Sequence, residues 1–134
     1  MFYYEKEVDV LKQVLHTTQA PAAIGPYSQG IQAGGITITS GQLPIDPATG
    51  AFPEGIEAQT RQSLKNCQSV LASAGLTMDQ VIKTTVFLSD MNNFAAMNGV
   101  YATFFQGDCP ARSAVEVARL PKDALVEIEC IAVQ

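Results

Sequence analysis

The stretch Val81 to Leu88 (VIKTTVFL) constrains the fold more than any other part of the chain. It is rich in β-branched residues and apolar on both alternating faces, with Lys83 the one charge, the composition of a strand inside a sheet covered on both sides. A helical pattern flanks it on each side. Upstream, Leu64, Cys67, Leu71 and Ala74 recur at spacings of three and four, Glu57 and Arg61 are set to pair along the polar face, and Gly75-Leu76 reads as a left-handed C-cap with its hydrophobic contact. Downstream, Asp90, Asn92 and Asn93 offer capping oxygens before Phe94, Met97, Tyr101 and Phe104, and Gly107 is the stop.

Four further strands are expected. Lys12 to Thr17 and Gly35 to Thr39 precede the first helix, separated by the loop APAAIGPYSQG, and a second punctuated loop, GQLPIDPATGAFPEG, leads into that helix. Ser113 to Arg119 and Leu125 to Val133 follow the second helix and read as a hairpin joined through LPKDA. The order ββαβαββ predicts an α+β sandwich of two layers, with the helices on one face of the sheet. A chain of 134 residues is one domain's worth, and no repeat or linker divides it.

Composition narrows the function classes. Hydrophobic residues make up 47% and charged residues 16%, enough for a core and too little charge for a disordered chain. A net charge of -5 argues against a general nucleic-acid grip, which needs a basic face. No apolar run approaches the roughly 18 residues that span a bilayer, and the start MFYYEKEVDV has neither a basic n-region nor an apolar h-region. A cytoplasmic protein without membrane partners is expected. Cys67, Cys109 and Cys130 are odd in number and form no CxxC pair, which argues against a disulfide framework or a zinc site. His16 is the one histidine, so no metal site of several imidazoles can assemble within a chain, and its place in VLHTT is that of a surface or hydrogen-bonded residue. Walker A, GxGxxG and GxSxG motifs are absent.

Two places carry chemistry. In the last strand, Val126, Ile128, Cys130 and Ala132 share one face, while Glu127 and Glu129 share the other with Leu125, Ile131 and Val133. Carboxylates among large aliphatics suit a surface buried against another subunit better than a wet monomer face, so a homo-oligomer is expected. In Pro110-Ala111-Arg112-Ser113, an arginine opens a strand of small and apolar residues. Its planar fork can grip a carboxylate through two charge-assisted hydrogen bonds, each roughly 1.5 to 3 kcal/mol net. Solvated acids and an ion-paired arginine are the plain alternatives.

APAAIGPYSQG, ITSGQLPIDPATG, FAAMNGVYATFF and PARSAVEVARLPKDALVEIECIAV, in this order and spacing, resemble the Rid (YjgF-type) family, and its RidA-type 2-iminobutanoate/2-iminopropanoate deaminases above all. The resemblance covers the chain from Val14 onward and implies a single Rid domain over residues 12–134; Met1 to Leu11 form an extension of unknown role. It further implies a chorismate mutase-like fold and a homotrimer with sites in the clefts between subunits. Carried over, Arg112 binds the substrate carboxylate, Glu127 positions or activates water, Tyr27 closes the cleft, Ser40 and Gly41 line it, Asn98 organises its loops, and Pro121 shapes the final hairpin. Gly41 as a turn residue, Asn98 as a helix hydrogen-bonder and Tyr27 as a core edge are the structural alternatives.

The implied chemistry is hydrolysis of 2-aminoacrylate, 2-iminopropanoate or 2-iminobutanoate to a 2-oxo acid and ammonia. It requires no metal or organic cofactor: Arg112 holds the carboxylate, Glu127 takes a proton from water, and backbone groups near Ser113 and Ala114 hydrogen-bond the imine nitrogen. Many RidA-type sequences read PARSC where this chain reads PARSA, so a thiol at Ala114 plays no part, and Cys109 is a separate loop thiol. In a simple hairpin Glu127 would lie opposite Val117, roughly 15 Å from Arg112 at 3.3 Å per residue, so the two are expected to converge through different subunits or through bent strands. An endoribonuclease or translation inhibitor, and a non-catalytic binder of small carboxylates, are the alternatives.

Overall fold

The computed structural model describes residues 11–134, so the extension expected over Met1 to Leu11 lies, but for Leu11, outside the described residues. Six strands and two α-helices follow in the order β1 (Gln13–Leu15), β2 (Gly30–Ala33), β3 (Ile36–Thr39), α1 (Ile56–Ala72), β4 (Val81–Leu88), α2 (Phe94–Tyr101), β5 (Ala111–Glu116) and β6 (Val126–Val133). They form one mixed sheet with strand order β1-β2-β3-β6-β4-β5, in which only β4 and β5 run parallel. Both helices pack on one face, as expected of an α+β sandwich.

The strand that the sequence places mid-sheet does sit inside it, between β6 and β5. Thr84, Val86 and Leu88 are fully buried on the helix side, where they meet Leu64, Cys67 and Leu71 of α1 and Met97 and Tyr101 of α2. Val126, Ile128, Cys130 and Ala132 of β6 complete this core. Each fully buried leucine or isoleucine stabilises it by roughly 1.5–3 kcal/mol. The other face of β4 is open in the single chain, with Ile82 48% exposed. Helix α1 ends as its sequence predicts, with Gly75 at φ +77 and the Leu76 amide donating to the Leu71 carbonyl at 3.0 Å. Asp90 caps the turn before α2 by accepting from the Asn92 amide at 2.9 Å. Glu57 and Arg61 do not form the expected ion pair. Both are exposed, and water screens so weak an attraction below the cost of ordering two long side chains.

Two expectations about strands are corrected. The loop ahead of Gly35 contains a third early strand, β2, joined to β3 by Gly34 and Gly35 at φ +57 and +81. Two successive positive φ values make the two-residue turn whose twist suits a hairpin. The final pair, β5 and β6, is not a hairpin. Each pairs with β4, one on either side, β5 parallel and β6 antiparallel. The reason is burial: β6 has a face exposed by 1% or less and needs neighbours on both edges, whereas β5 is mostly exposed and tolerates the sheet's rim. The segment 117–125, with Pro121 in its short 3-10 turn, carries the chain past the end of β4, where Val117 donates to Leu88 and Ser89 to Leu125.

Candidate active site

Glu127 sits on β6 level with Phe87, on the sheet face away from the helices. The chain leaving β3 runs against it. Gln42 and Ile128 exchange backbone hydrogen bonds of 2.7 and 3.2 Å, which drives Gly41 onto the Glu127 side chain. A Cβ at Gly41 would lie 2.9 Å from the Glu127 carboxyl carbon, so only glycine leaves that carboxylate its place. Ser40 is tied by its amide to the Gln29 carbonyl at 2.9 Å and by its hydroxyl to the Ser28 carbonyl. A groove of about 460 Å³ results, lined by Ile24, Tyr27, Ser40, Leu43, Pro121 and Glu127.

Buried amides hold the walls of this groove. Gln29 accepts from the Thr17 amide at 2.8 Å and donates to the Pro21 carbonyl at 2.8 Å, pinning the loop that carries Ile24 and Tyr27. Asn66 of α1 donates to the carbonyls of Leu43 and Ile45 at 3.0 and 2.9 Å, pinning the opposite loop. Glu127 itself accepts no hydrogen bond among the described residues. Burial, and then the charge of Glu129 on the same strand face, push its carboxyl above the usual glutamate range.

Arg112 is level with Thr84 on β5, and its side chain lies on the helix side. Nη1 donates to Asn98 Oδ1 at 2.7 Å, and the guanidinium carbon lies 4.7 Å from the Tyr101 ring centre and 5.5 Å from that of Phe94. Phe94, Asn98 and Tyr101 stand four and three residues apart and therefore share one face of α2. No carboxylate pairs with Arg112 among the described residues. A second hollow, of about 450 Å³, is lined by Asn98, Tyr101, Ala102, Cys109, Pro110 and Arg112. Val117 donates to Leu88, so by alternation the amides of Arg112 and Ala114 point away from β4, to the open edge of the sheet. Ser113 turns to the other face, where its hydroxyl accepts from Lys83 Nζ at 3.2 Å.

The expected site residues thus fall into two groups. Tyr27, Ser40, Gly41, Pro121 and Glu127 meet at one groove; Arg112, Asn98 and the Ala114 backbone meet at the sheet's edge. Within one chain they do not come together. Arg112 and Glu127 stand three rungs apart in register, with β4 between their strands and their side chains on opposite faces. Tyr101 and Thr84 belong to the second group and read as core from spacing alone. The signal available for Tyr101 is its place three residues after Asn98. His16 is exposed and lines neither hollow, and Cys67 and Cys130 are buried in the core. Cys67 donates to the Ile128 carbonyl at 3.3 Å, and the neighbouring Cys130 thiol together with burial pushes the Cys67 thiol well up, which leaves it unreactive.

These features define a one-sheet α+β domain that carries, among the described residues, an arginine without an acid partner and, on the far face, a half-buried glutamate without a donor. The chain belongs to the Rid (YjgF-type) family: a family model described as Endoribonuclease L-PSP matches residues 17–134. A 2-iminobutanoate/2-iminopropanoate deaminase of Salmonella typhimurium is 52% identical over 127 residues, covering 92% of this chain and 99% of that protein. Among solved structures, the Rid-family protein YyfA of Yersinia pestis is 54% identical with a TM-score of 0.90, covering 92% of this chain and 100% of that one. Escherichia coli TdcF, solved with bound serine, is 48% identical with a TM-score of 0.89, covering 91% and 98%.

Proposed function

We propose that this protein hydrolyses reactive enamine and imine acids, 2-aminoacrylate with its tautomer 2-iminopropanoate and 2-iminobutanoate, to 2-oxo acids and ammonia. The observation that carries the reading is Arg112: half-buried, stacked and hydrogen-bonded by neutral groups, it keeps most of its donors for an anion. A relative 52% identical over nearly its whole length bears the name of this deaminase, which supports it.

In this reading the sites form between subunits of a homotrimer. The outer sheet face supports such packing, since Ile36, Ile38 and Val115 are 43–48% exposed there beside Glu127 and Glu129. Arg112 of one protomer then faces the Glu127 groove of its neighbour. Arg112 binds the substrate carboxylate, with Asn98 holding the guanidinium. The Ala114 carbonyl, which points to the open edge with its amide, accepts from the protonated imine nitrogen, whereas Ser113 faces β4 and the other sheet face and takes no part. Ser40 and Gly41 line the pocket, and the Tyr27 ring closes it.

The chemistry is short. Water attacks the carbon of the protonated C=N bond while Glu127 accepts the water proton. The resulting carbinolamine takes that proton back on nitrogen, and the C–N bond breaks with ammonia leaving as the Glu127 carboxylate removes the hydroxyl proton and the C=O bond forms. A carboxyl held above the usual glutamate range is a stronger base than a solvated one, and suited to returning the proton.

The test generates 2-iminobutanoate in situ from an amino acid with a separate enzyme and follows 2-oxo acid release. Acceleration by the parent that is lost in Arg112→Ala is expected; release at the spontaneous rate contradicts the reading. Glu127→Gln separates catalysis from mere carboxylate binding, with turnover lost and binding kept. The description Endoribonuclease L-PSP attached to the matching family model favours a second reading, cleavage of RNA. The net charge of -5 weighs against it, and incubation with single-stranded RNA tests it directly.

A further inference from the structure

We propose that Thr84 and Tyr101 form a positioning pair that presents the Arg112 guanidinium to the substrate carboxylate; the inference rests on the carboxylate-binding role given to Arg112 above. An arginine at a sheet rim would ordinarily be steadied by an acid, but an acid there would compete with the substrate. Arg112 is steadied by neutral groups. Asn98 takes one N–H at 2.7 Å, and Tyr101 lies flat enough against the guanidinium to bring its centre within 4.7 Å.

A stacking ring positions a cation only if the ring itself is fixed. Tyr101 is fixed at two points. Phe105 packs on it with ring centres 4.8 Å apart, and its hydroxyl meets the Thr84 hydroxyl at 2.7 Å. Thr84 is fully buried and is the residue of β4 that pairs with Arg112 in the β4–β5 register. One rung of the sheet therefore holds both the arginine backbone and the ring on which its side chain rests. Packing alone would be served equally by valine and phenylalanine at these two positions. The hydroxyl pair adds orientation, a property that filling the core does not need. Arg112 in turn draws the Tyr101 hydroxyl toward ionisation, against the stronger effect of burial, so the two groups also sense each other electrostatically.

Thr84→Val, Thr84→Ser and Tyr101→Phe test the pair. Steady-state deamination of 2-iminobutanoate is read as KM and kcat separately, and 2-oxobutanoate is titrated calorimetrically as a direct probe of carboxylate binding. Thr84→Val and Tyr101→Phe are expected to raise KM and weaken 2-oxobutanoate binding by about three- to tenfold, the scale of one buried hydrogen bond, with kcat within about twofold of the parent. Thr84→Ser, which restores the hydroxyl, is expected to bind as the parent does. Parental KM and binding in Thr84→Val and Tyr101→Phe, or a Thr84→Ser as impaired as Thr84→Val, would overturn the inference. A parent that binds 2-oxobutanoate without deaminating would sink the deaminase reading alone, because the titration still ranks the variants. A parent that binds no carboxylate overturns both.

Discussion

Arg112 and Glu127 project from opposite faces of one sheet, three rungs apart and with β4 between their strands. Neither neutralises the other within a chain. The guanidinium is left with donors to spare, and the carboxylate is held in a groove where burial and the like-signed Glu129 both disfavour its charge. In the proposed reading, a substrate that meets both is held between two chains.

The first prediction concerns the shape of the cation. Arg112→Lys keeps the charge but loses the fork, the face that stacks on Tyr101 and the fixed bond to Asn98. KM for 2-iminobutanoate is expected to rise about tenfold or more in steady-state assays. An unchanged KM would remove the bidentate clamp.

Gly41 makes a sharper steric prediction. Its backbone is not left-handed, so alanine is conformationally acceptable there, and the cost falls on Glu127, whose carboxyl carbon would lie 2.9 Å from the new Cβ. Gly41→Ala is expected to displace the carboxylate and lower kcat about tenfold or more while the thermal midpoint moves by only a few degrees. A parental kcat would show that the Glu127 position is not critical.

The pH dependence follows from Glu127. Burial first and Glu129 second raise its carboxyl above the usual glutamate range, so the acid limb of kcat/KM is expected above that range, and Glu129→Gln shifts it downward. Stability carries the opposite sign. A raised carboxyl in the folded state contributes stability that is fully present below the unfolded glutamate pKa and is lost as pH rises through the folded one. Glu127→Gln is therefore expected to melt at a higher temperature than the parent at neutral pH, with the difference vanishing in acid. Thermal melts across that window check it; a less stable Glu127→Gln at neutral pH would contradict it.

Much of the fold was legible because its signals are local. Val81 to Leu88 announced an interior strand, the three-four spacing of Leu64, Cys67 and Leu71 a helix face, and Gly75 its end. The turn Gly34-Gly35 was a local signal too, and it marks the β2–β3 hairpin that a reading of the preceding loop as unstructured passes over. What spacing could not carry was pairing across the chain. Nothing in LPKDA says that β5 and β6 part to flank β4, since the choice depends on which strand has a face to bury. The site divides the same way. Strand alternation marked Glu127, the arginine opening β5 marked Arg112, and resemblance gave both their roles and added Gly41 and Asn98, but the Tyr101–Thr84 contact joins residues 17 apart and exists only once α2 packs on β4.

Subunit complementation tests the central claim most directly. Arg112→Ala and Glu127→Gln, each expected to be inactive alone, are unfolded together, refolded as a mixture and assayed for 2-oxo acid release. If each site takes its arginine from one chain and its glutamate from the next, about a quarter of the parental activity returns, the share of random interfaces that receive both intact groups. A mixture as inactive as its two components, beside an active parent refolded in the same way, would contradict a shared site and return both residues to a single chain.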